Sequence, residues 1–168
     1  MADARGEFAG YGSIFNIEDL GGDVVLPGAF VNLPDFARTG SLLWNHEFAR
    51  PVAVPVEARD DGIGLWIRGR FHSTREGQDA RTVVTERQEA GNPYGLSIGY
   101  VALKERPQGR VRILEKLYLI EVSLVSAPMN HRARVQLAKR YAPADLTPEQ
   151  RSSAAIAELL RSNGVSLR

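Results

Sequence analysis

Apolar and polar positions alternate along most of the chain, and that alternation predicts strands. Residues 7 to 15 read as a first strand, with Phe8, Tyr11 and Phe15 as aromatic positions and Gly10 and Gly12 marking a bend or bulge. Residues 19 to 22 are turn chemistry. Asp23 then leads into a short helix expected near residues 29 to 38, where Phe30, Leu33, Phe36 and Ala37 have helical spacing and Pro34 makes the pattern imperfect. Residues 41 to 46 predict a short buried strand ending in Asn45 and His46. The clearest hairpin joins residues 51 to 58 and 63 to 71 across Arg59-Asp-Asp-Gly62, because Asp-Gly is a strong turn signal.

The period changes over residues 74 to 90. Ala80, Val83, Val84 and Arg87 share one helical face, and Thr74 stands in the N-cap position. Gly91-Asn-Pro ends this helix. Strand character returns over residues 94 to 103, turns at 106 to 109 and resumes from 111 to about 125, where Ala127-Pro-Met-Asn breaks it. Residues 133 to 138 fit either a strand or a helix. Residues 141 to 146 read as a linker. Thr147-Pro-Glu-Gln150 then opens an appended helix with an N-cap and a capping-box glutamine. The expected organisation is one domain over residues 1 to 140 and a linker plus C-terminal helix over 141 to 168. The fold class is mainly β with two inserted helices (α+β). Hairpin-linked strands favour an antiparallel β-barrel, closed or nearly so, since closure removes exposed edges.

Composition narrows the function. The 168 residues suffice for one compact domain and an appendage. The net charge of +1 gives no reason to expect nucleic acid as a partner. The absence of cysteine excludes a disulfide framework, a thiol nucleophile and thiolate metal sites, and fits a reducing cytosol. The first residues lack the apolar run of a signal peptide, and no stretch approaches the roughly 20 residues of a membrane span. The histidines at 46, 72 and 131 lack any i, i+4 pairing and form no recognised ligand set. Neither a metal nor another cofactor is expected.

Three residues stand out chemically. Ser97 lies in Tyr94-Gly-Leu-Ser-Ile-Gly-Tyr100, bracketed by Gly95 and Gly99. It reads either as a satisfied strand serine or as a nucleophile, with the glycines giving a substrate backbone room to approach. The sharp strand-to-helix elbow of the α/β-hydrolases is absent, because strand character continues past the serine. His46 sits where a strand leaves the core, either half-buried and structural or poised as a base. His72 ends a hairpin strand beside Ser73 and is expected to face solvent, and His131 lies in a loop. Glu121 interrupts an otherwise apolar strand, as a buried paired carboxylate or as an outward-facing guard on an edge. Strand alternation puts it on the face of Leu119, Ser123 and Val125. Ser97 as nucleophile, His46 as base and Glu121 as orienter would complete a triad. Arg132, Arg134 and Arg140 form a small basic cluster, either a solvated face or, at Arg132 and Arg134, support for an oxyanion.

Five motifs in order resemble a known family. They are Phe8-Ala-Gly-Tyr-Gly-Ser-Ile-Phe-Asn16, Gly22-Asp-Val-Val-Leu-Pro-Gly-Ala-Phe30, Leu42-Leu-Trp-Asn-His46, Gly95-Leu-Ser-Ile-Gly-Tyr100 and Leu119-Ile-Glu-Val-Ser-Leu-Val-Ser-Ala-Pro-Met-Asn130. Together they are similar to the prohead (capsid-maturation) serine proteases of tailed bacteriophages, over about residues 7 to 136. The resemblance implies the β-barrel of the herpesvirus assemblin proteases. It implies a serine endopeptidase that forms an acyl-enzyme and cleaves the scaffolding part of the major capsid protein, or a separate scaffold protein, and itself. It places this work inside the immature capsid in the host cytoplasm and suggests a homodimer. By motif, Ser97 matches the nucleophile, His46 the base and Glu121 the third member. That member is a second histidine in the herpesvirus relatives, which keeps His131 open as an alternative. Residues 141 to 168 lie outside the resemblance and read as a scaffold-like or self-cleaved tail. The competing expectation is a catalytically inactive barrel serving as a structural or scaffold protein of the capsid. In that case the three residues would be scattered in space.

Overall fold

The structure, a computed structural model, describes residues 6–130 and 132–137. The elements in chain order are β1 (Glu7–Ile14), β2 (Asp23–Val25), α1 (Leu33–Thr39), β3 (Leu42–Trp44), β4 (Glu47–Asp60), β5 (Gly64–Phe71), α2 (Arg75–Glu89), β6 (Gly95–Gln108), β7 (Val111–Val125) and β8 (Val135–Leu137). Among the described residues the strands form a single sheet in the order β2-β7-β3-β4-β5-β1-β8, with β6 added against β7. The sheet curls into a half-barrel around a core that includes Phe8, Leu42, Leu65, Ile67, Leu96, Leu117 and Leu124.

The expected mainly-β fold with two helices is present, but the sheet is mixed and not purely antiparallel. Both β2 and β3 run parallel to β7. Chain connectivity explains this. β3 reaches β4 through a tight turn and pairs with it antiparallel, while its other edge meets β7, which arrives much later in the chain. β8 settles the choice left open for residues 133 to 138 in favour of a strand, paired with β1. Just before β8, Gly95 and Arg134 form an isolated bridge, where Leu96 N donates to Ala133 O and Val135 N to Tyr94 O. That bridge joins the β6 and β8 margins of the curl at one point. The tail read as a linker and helix lies outside the described residues.

Several boundaries shift for local reasons. The first helix begins at Leu33, not near residue 29, because Pro34 fits only the first turn of a helix. Ala29 and Val31 bond instead to Leu117 of β7. Asp23–Val25, read as a lead-in to the helix, is a strand. Its Asp23 carboxylate accepts from Arg112 Nε at 2.8 Å and Nη2 at 2.7 Å, and from the Tyr100 hydroxyl at 2.7 Å. The second helix is capped as expected, with Thr74 Oγ1 accepting from Gly77 N at 3.3 Å. His72, expected to face solvent, is half-buried.

β7 carries the site, and its second edge is covered almost continuously. β2 pairs with residues 112 to 114, and Phe30 bridges Leu117. Asn32 then takes the place of a strand: its Nδ2 donates to Leu119 O and its Oδ1 accepts from Leu119 N, both at 2.9 Å. β3 takes over from Val122. On the β6 side the register shifts at three places, and one of them lies beside Glu121. Gly99 stands opposite Glu121 and Tyr100 opposite Leu119, so Ile120 is an extra residue in β7. A bulge of this kind changes which residues face each side. Leu117 and Leu119 face the core before it, and Val122 and Leu124 after it. The expectation that Glu121 shares a face with Leu119 is therefore incorrect. Glu121 and Ser123 lie on the opposite face, with Ser97 and Gly99 across from them on β6.

Two outcomes test this account. Asn32→Ala leaves a buried amide and carbonyl of β7 without partners and should destabilise the fold by about 2–4 kcal/mol in chemical denaturation, each such group costing roughly 1–3 kcal/mol. The Asp23 carboxyl is held below its ordinary value of 3.8, chiefly by its hydrogen bonds from Arg112. A carboxyl depressed by folding contributes fully above that ordinary value and loses its contribution as pH falls through the folded one. Asp23→Asn should therefore lower stability at neutral pH, and the difference from wild type should shrink steadily in acid below 3.8.

Candidate active site

Three neighbouring strands each bring one of the singled-out residues. β7 lies in the middle and contributes Glu121. β3 pairs with one edge of β7 and leads directly into His46. β6 pairs with the other edge and contributes Ser97. The ends of β3 and β6 are also tied together by the stacked rings of Trp44 and Tyr94, whose centroids are 4.9 Å apart.

Asn45 and His46 both adopt left-handed backbone, with φ of 51° and 61°. Asparagine and histidine are among the non-glycine residues enriched in this conformation, which costs an ordinary residue roughly 1–2 kcal/mol. The turn is held by Asn45 N donating to Leu124 O at 3.1 Å and by His46 N donating to Ser123 Oγ at 3.0 Å. The β3–β7 ladder thus continues one step beyond the strand, with a side-chain hydroxyl as acceptor. The turn aims the imidazole at β7, where His46 Nδ1 and Glu121 Oε1 are 2.7 Å apart. The Glu121 side chain is 4% exposed and that of His46 45% exposed, so the acid is enclosed and the base open.

The second oxygen of Glu121 is also engaged, since Ser123 Oγ donates to Oε2 at 2.6 Å. A buried carboxylate with both oxygens hydrogen-bonded is the tolerated form of a buried charge. A carboxylate only accepts, so Nδ1 of His46 must carry the proton and the neutral ring keeps its lone pair on Nε2. That is the tautomer a general base needs.

Ser97 stands directly opposite Ser123 in the β6–β7 register. It is buried, at 6% exposure, and flanked by Leu96 and Ile98, which pack on the core side. The bracketing glycines serve a different purpose from the one expected. A Cβ on Gly99 would collide with Oε1 of Glu121, and one on Gly95 with Pro128 and with Ala133 O. The space they vacate is filled by the protein itself, including the carboxylate of the site.

Of the residues expected to support an oxyanion, Arg134 lies across from Gly95 and its Nη1 donates to Pro93 O at 3.4 Å. The Arg132 amide donates to Asn130 Oδ1 at 3.2 Å. His131 lies outside the described residues, and no cluster able to hold a metal occurs among the described residues. Ser123 is the site residue that sequence reasoning passed over. Its one signal was a hydroxyl two positions from a buried acid in an apolar strand.

The sequence and the fold are similar to those of known proteins. Residues 1–146 match the model of the caudovirus prohead serine protease family. The prohead protease of Enterobacteria phage HK97 is 30% identical over 141 residues, which are 80% of this chain and 61% of that protein. The chain thus spans less than two thirds of this curated relative. The bacteriophage T4 capsid assembly protease shares the fold with a TM-score of 0.52 at 9% identity, covering 70% of this chain and 81% of that one. The KSHV protease, solved with a hexapeptide phosphonate inhibitor, superposes with a TM-score of 0.53 at 16% identity, over 96% and 77% of the two chains.

The packing makes Gly99 a sensitive backbone position of the site. Gly99→Ala should push the Glu121 carboxylate away from Nδ1. A crystal structure of the variant that retains the 2.7 Å contact would refute this.

Proposed function

The chain belongs to the caudovirus prohead serine protease family, and on that premise we propose that it is a serine endopeptidase acting through Ser97, His46 and Glu121. The observation that carries the reading is the 2.7 Å bond between His46 Nδ1 and the buried Glu121 carboxylate. Without a charge to stabilise, burying a carboxylate against an imidazole costs free energy and returns little. A pair of this kind beside a strand serine supports nucleophilic catalysis over a purely structural barrel.

The chemistry follows from the tautomer. Nε2 of His46 takes the Ser97 hydroxyl proton as Oγ bonds to the scissile carbonyl carbon, and the carbonyl electrons move to oxygen. The tetrahedral intermediate collapses by breaking the C–N bond, and the leaving amine takes the proton from Nε2. A water then attacks the ester, gives its proton to Nε2, and releases the new carboxyl end as Ser97 regains its proton. Throughout, Glu121 holds Nδ1–H and balances the transient imidazolium. We assign oxyanion support to the segment carrying Arg132 and Arg134, which the Gly95–Arg134 bridge places beside β6. Glu121, bonded to the base, fills the role of third member in preference to His131.

The substrates in this reading are the scaffolding segment of the major capsid protein or a separate scaffold protein, and the chain itself, with residues 141 to 168 as a self-cleaved or scaffold-like tail. The place is the immature capsid in the host cytoplasm, and the active species is a homodimer. Family membership and the name of the HK97 relative support the capsid assignment.

Incubation with the cognate capsid protein, followed by intact mass measurement, tests the proposal. Wild type should shorten the capsid protein, and Ser97→Ala and His46→Ala should leave it whole. Glu121→Gln should keep the fold and lower the rate by about 10⁴-fold, as wrong-tautomer variants of such triads do. Normal processing by Ser97→Ala would falsify the assignment.

A further inference from the structure

Ser123 has no part in the proton transfers above, yet it touches both the acid and the base. Its side chain is fully buried, in a strand where the neighbouring Val122 and Leu124 are apolar core. A hydroxyl in such a place is retained against the cost of burying it only if both its donor and its acceptor capacity are used. Both are used here: the O–H donates to Glu121 Oε2 at 2.6 Å, and the oxygen accepts from the His46 backbone N–H at 3.0 Å.

We propose that Ser123 is a positioning residue, a single hydroxyl that fixes the acid and the base of the site relative to each other. The argument rests on the triad reading above. Glu121 has one oxygen on the imidazole and needs a second anchor to stop the carboxylate rotating about its terminal torsion, which is broad for glutamate. The Ser123 donor is that anchor. His46 sits in a left-handed turn that needs an external acceptor for its amide, since the β3 ladder with backbone carbonyls has already ended. The Ser123 oxygen is that acceptor. One O–H···O⁻ bond and one N–H···O bond therefore set the distance between Nδ1 and Oε1 from both sides. Displacements of about 1 Å in such a geometry can cost on the order of 10²-fold in rate.

Valine would fill the space without either bond. Alanine removes both bonds and leaves Glu121 Oε2 and the His46 amide unpartnered. Threonine keeps the hydroxyl. The role is distinct from that of the nucleophile: Ser123 is fully buried, whereas Ser97 retains a little exposure on the opposite strand.

The test uses a fluorophosphonate probe, which reports nucleophile activation without a known peptide substrate. Wild-type protein should be labelled at Ser97, located by mass spectrometry, and Ser97→Ala should not be labelled. A label elsewhere would overturn the triad reading itself. Ser123→Ala should lower the limiting rate of labelling 10- to 100-fold with probe affinity changed less than about twofold, and Ser123→Thr should recover most of the rate. An independent readout uses the Ser97→Ala background, where no chemistry occurs. There the hydrogen-bonded Nδ1–H proton of His46 should give a downfield resonance that Ser123→Ala shifts or broadens. An unchanged resonance, or a labelling loss that only tracks loss of folded protein in thermal unfolding, would overturn the positioning role while leaving the triad intact.

Discussion

The enclosed carboxylate of Glu121 governs this structure. Its two oxygens are divided between the imidazole of His46 and the hydroxyl of Ser123. A buried carboxylate is expensive unless both oxygens are satisfied, and the nearby architecture supplies that satisfaction. Gly99 has no side chain because Oε1 occupies the position. The turn after β3 takes an uncommon backbone conformation that sends the imidazole towards Oε1. β7 accepts a bulge because the bulge moves the acid off the core face. These features converge on one group from three separate parts of the chain.

The arrangement uses β7 as a spine with different partners on its two edges. Antiparallel pairing on one side sets Ser97 opposite Ser123 residue by residue. Parallel pairing on the other side brings the end of β3 level with the same hydroxyl. Between β2 and β3, where no strand covers the edge, the Asn32 side chain copies the bonding of a backbone amide at Leu119, next to the bulge. The bulge is therefore braced on the side away from β6. In the family reading, the position of the acid depends on an asparagine that never approaches the site.

Much of this was legible in the sequence. Alternation found β1, the β4–β5 hairpin, β6 and β7, and the N-cap threonine located α2. The interrupted apolar run flagged Glu121, and the end of a buried strand flagged His46. What escaped was non-local. The bulge at Ile120 depends on how β6 and β7 pair, so simple alternation carried Glu121 to the wrong face. The parallel edges of β7 join segments far apart in sequence, so hairpin logic returned an antiparallel barrel. Asn32 and Ser123 look like ordinary polar residues until their partners, 87 and 77 positions away, are known. The glycines flanking Ser97 are visible in the sequence, but only packing shows that they make room for the protein itself.

The left-handed turn at Asn45 and His46 also bears on time. The base is made early and waits on a short strand whose parallel partner has yet to emerge. His46 and Glu121 are 75 residues apart, and the hydroxyl that anchors them both comes two residues after the acid. A nascent chain that has not reached β7 holds a histidine and a serine with nothing to orient either. In the family reading the centre is thus assembled late, by a strand that also supplies much of the core. In that reading, competence at the site waits for β7, and a chain that has not reached this strand has no oriented histidine to expose to its neighbours.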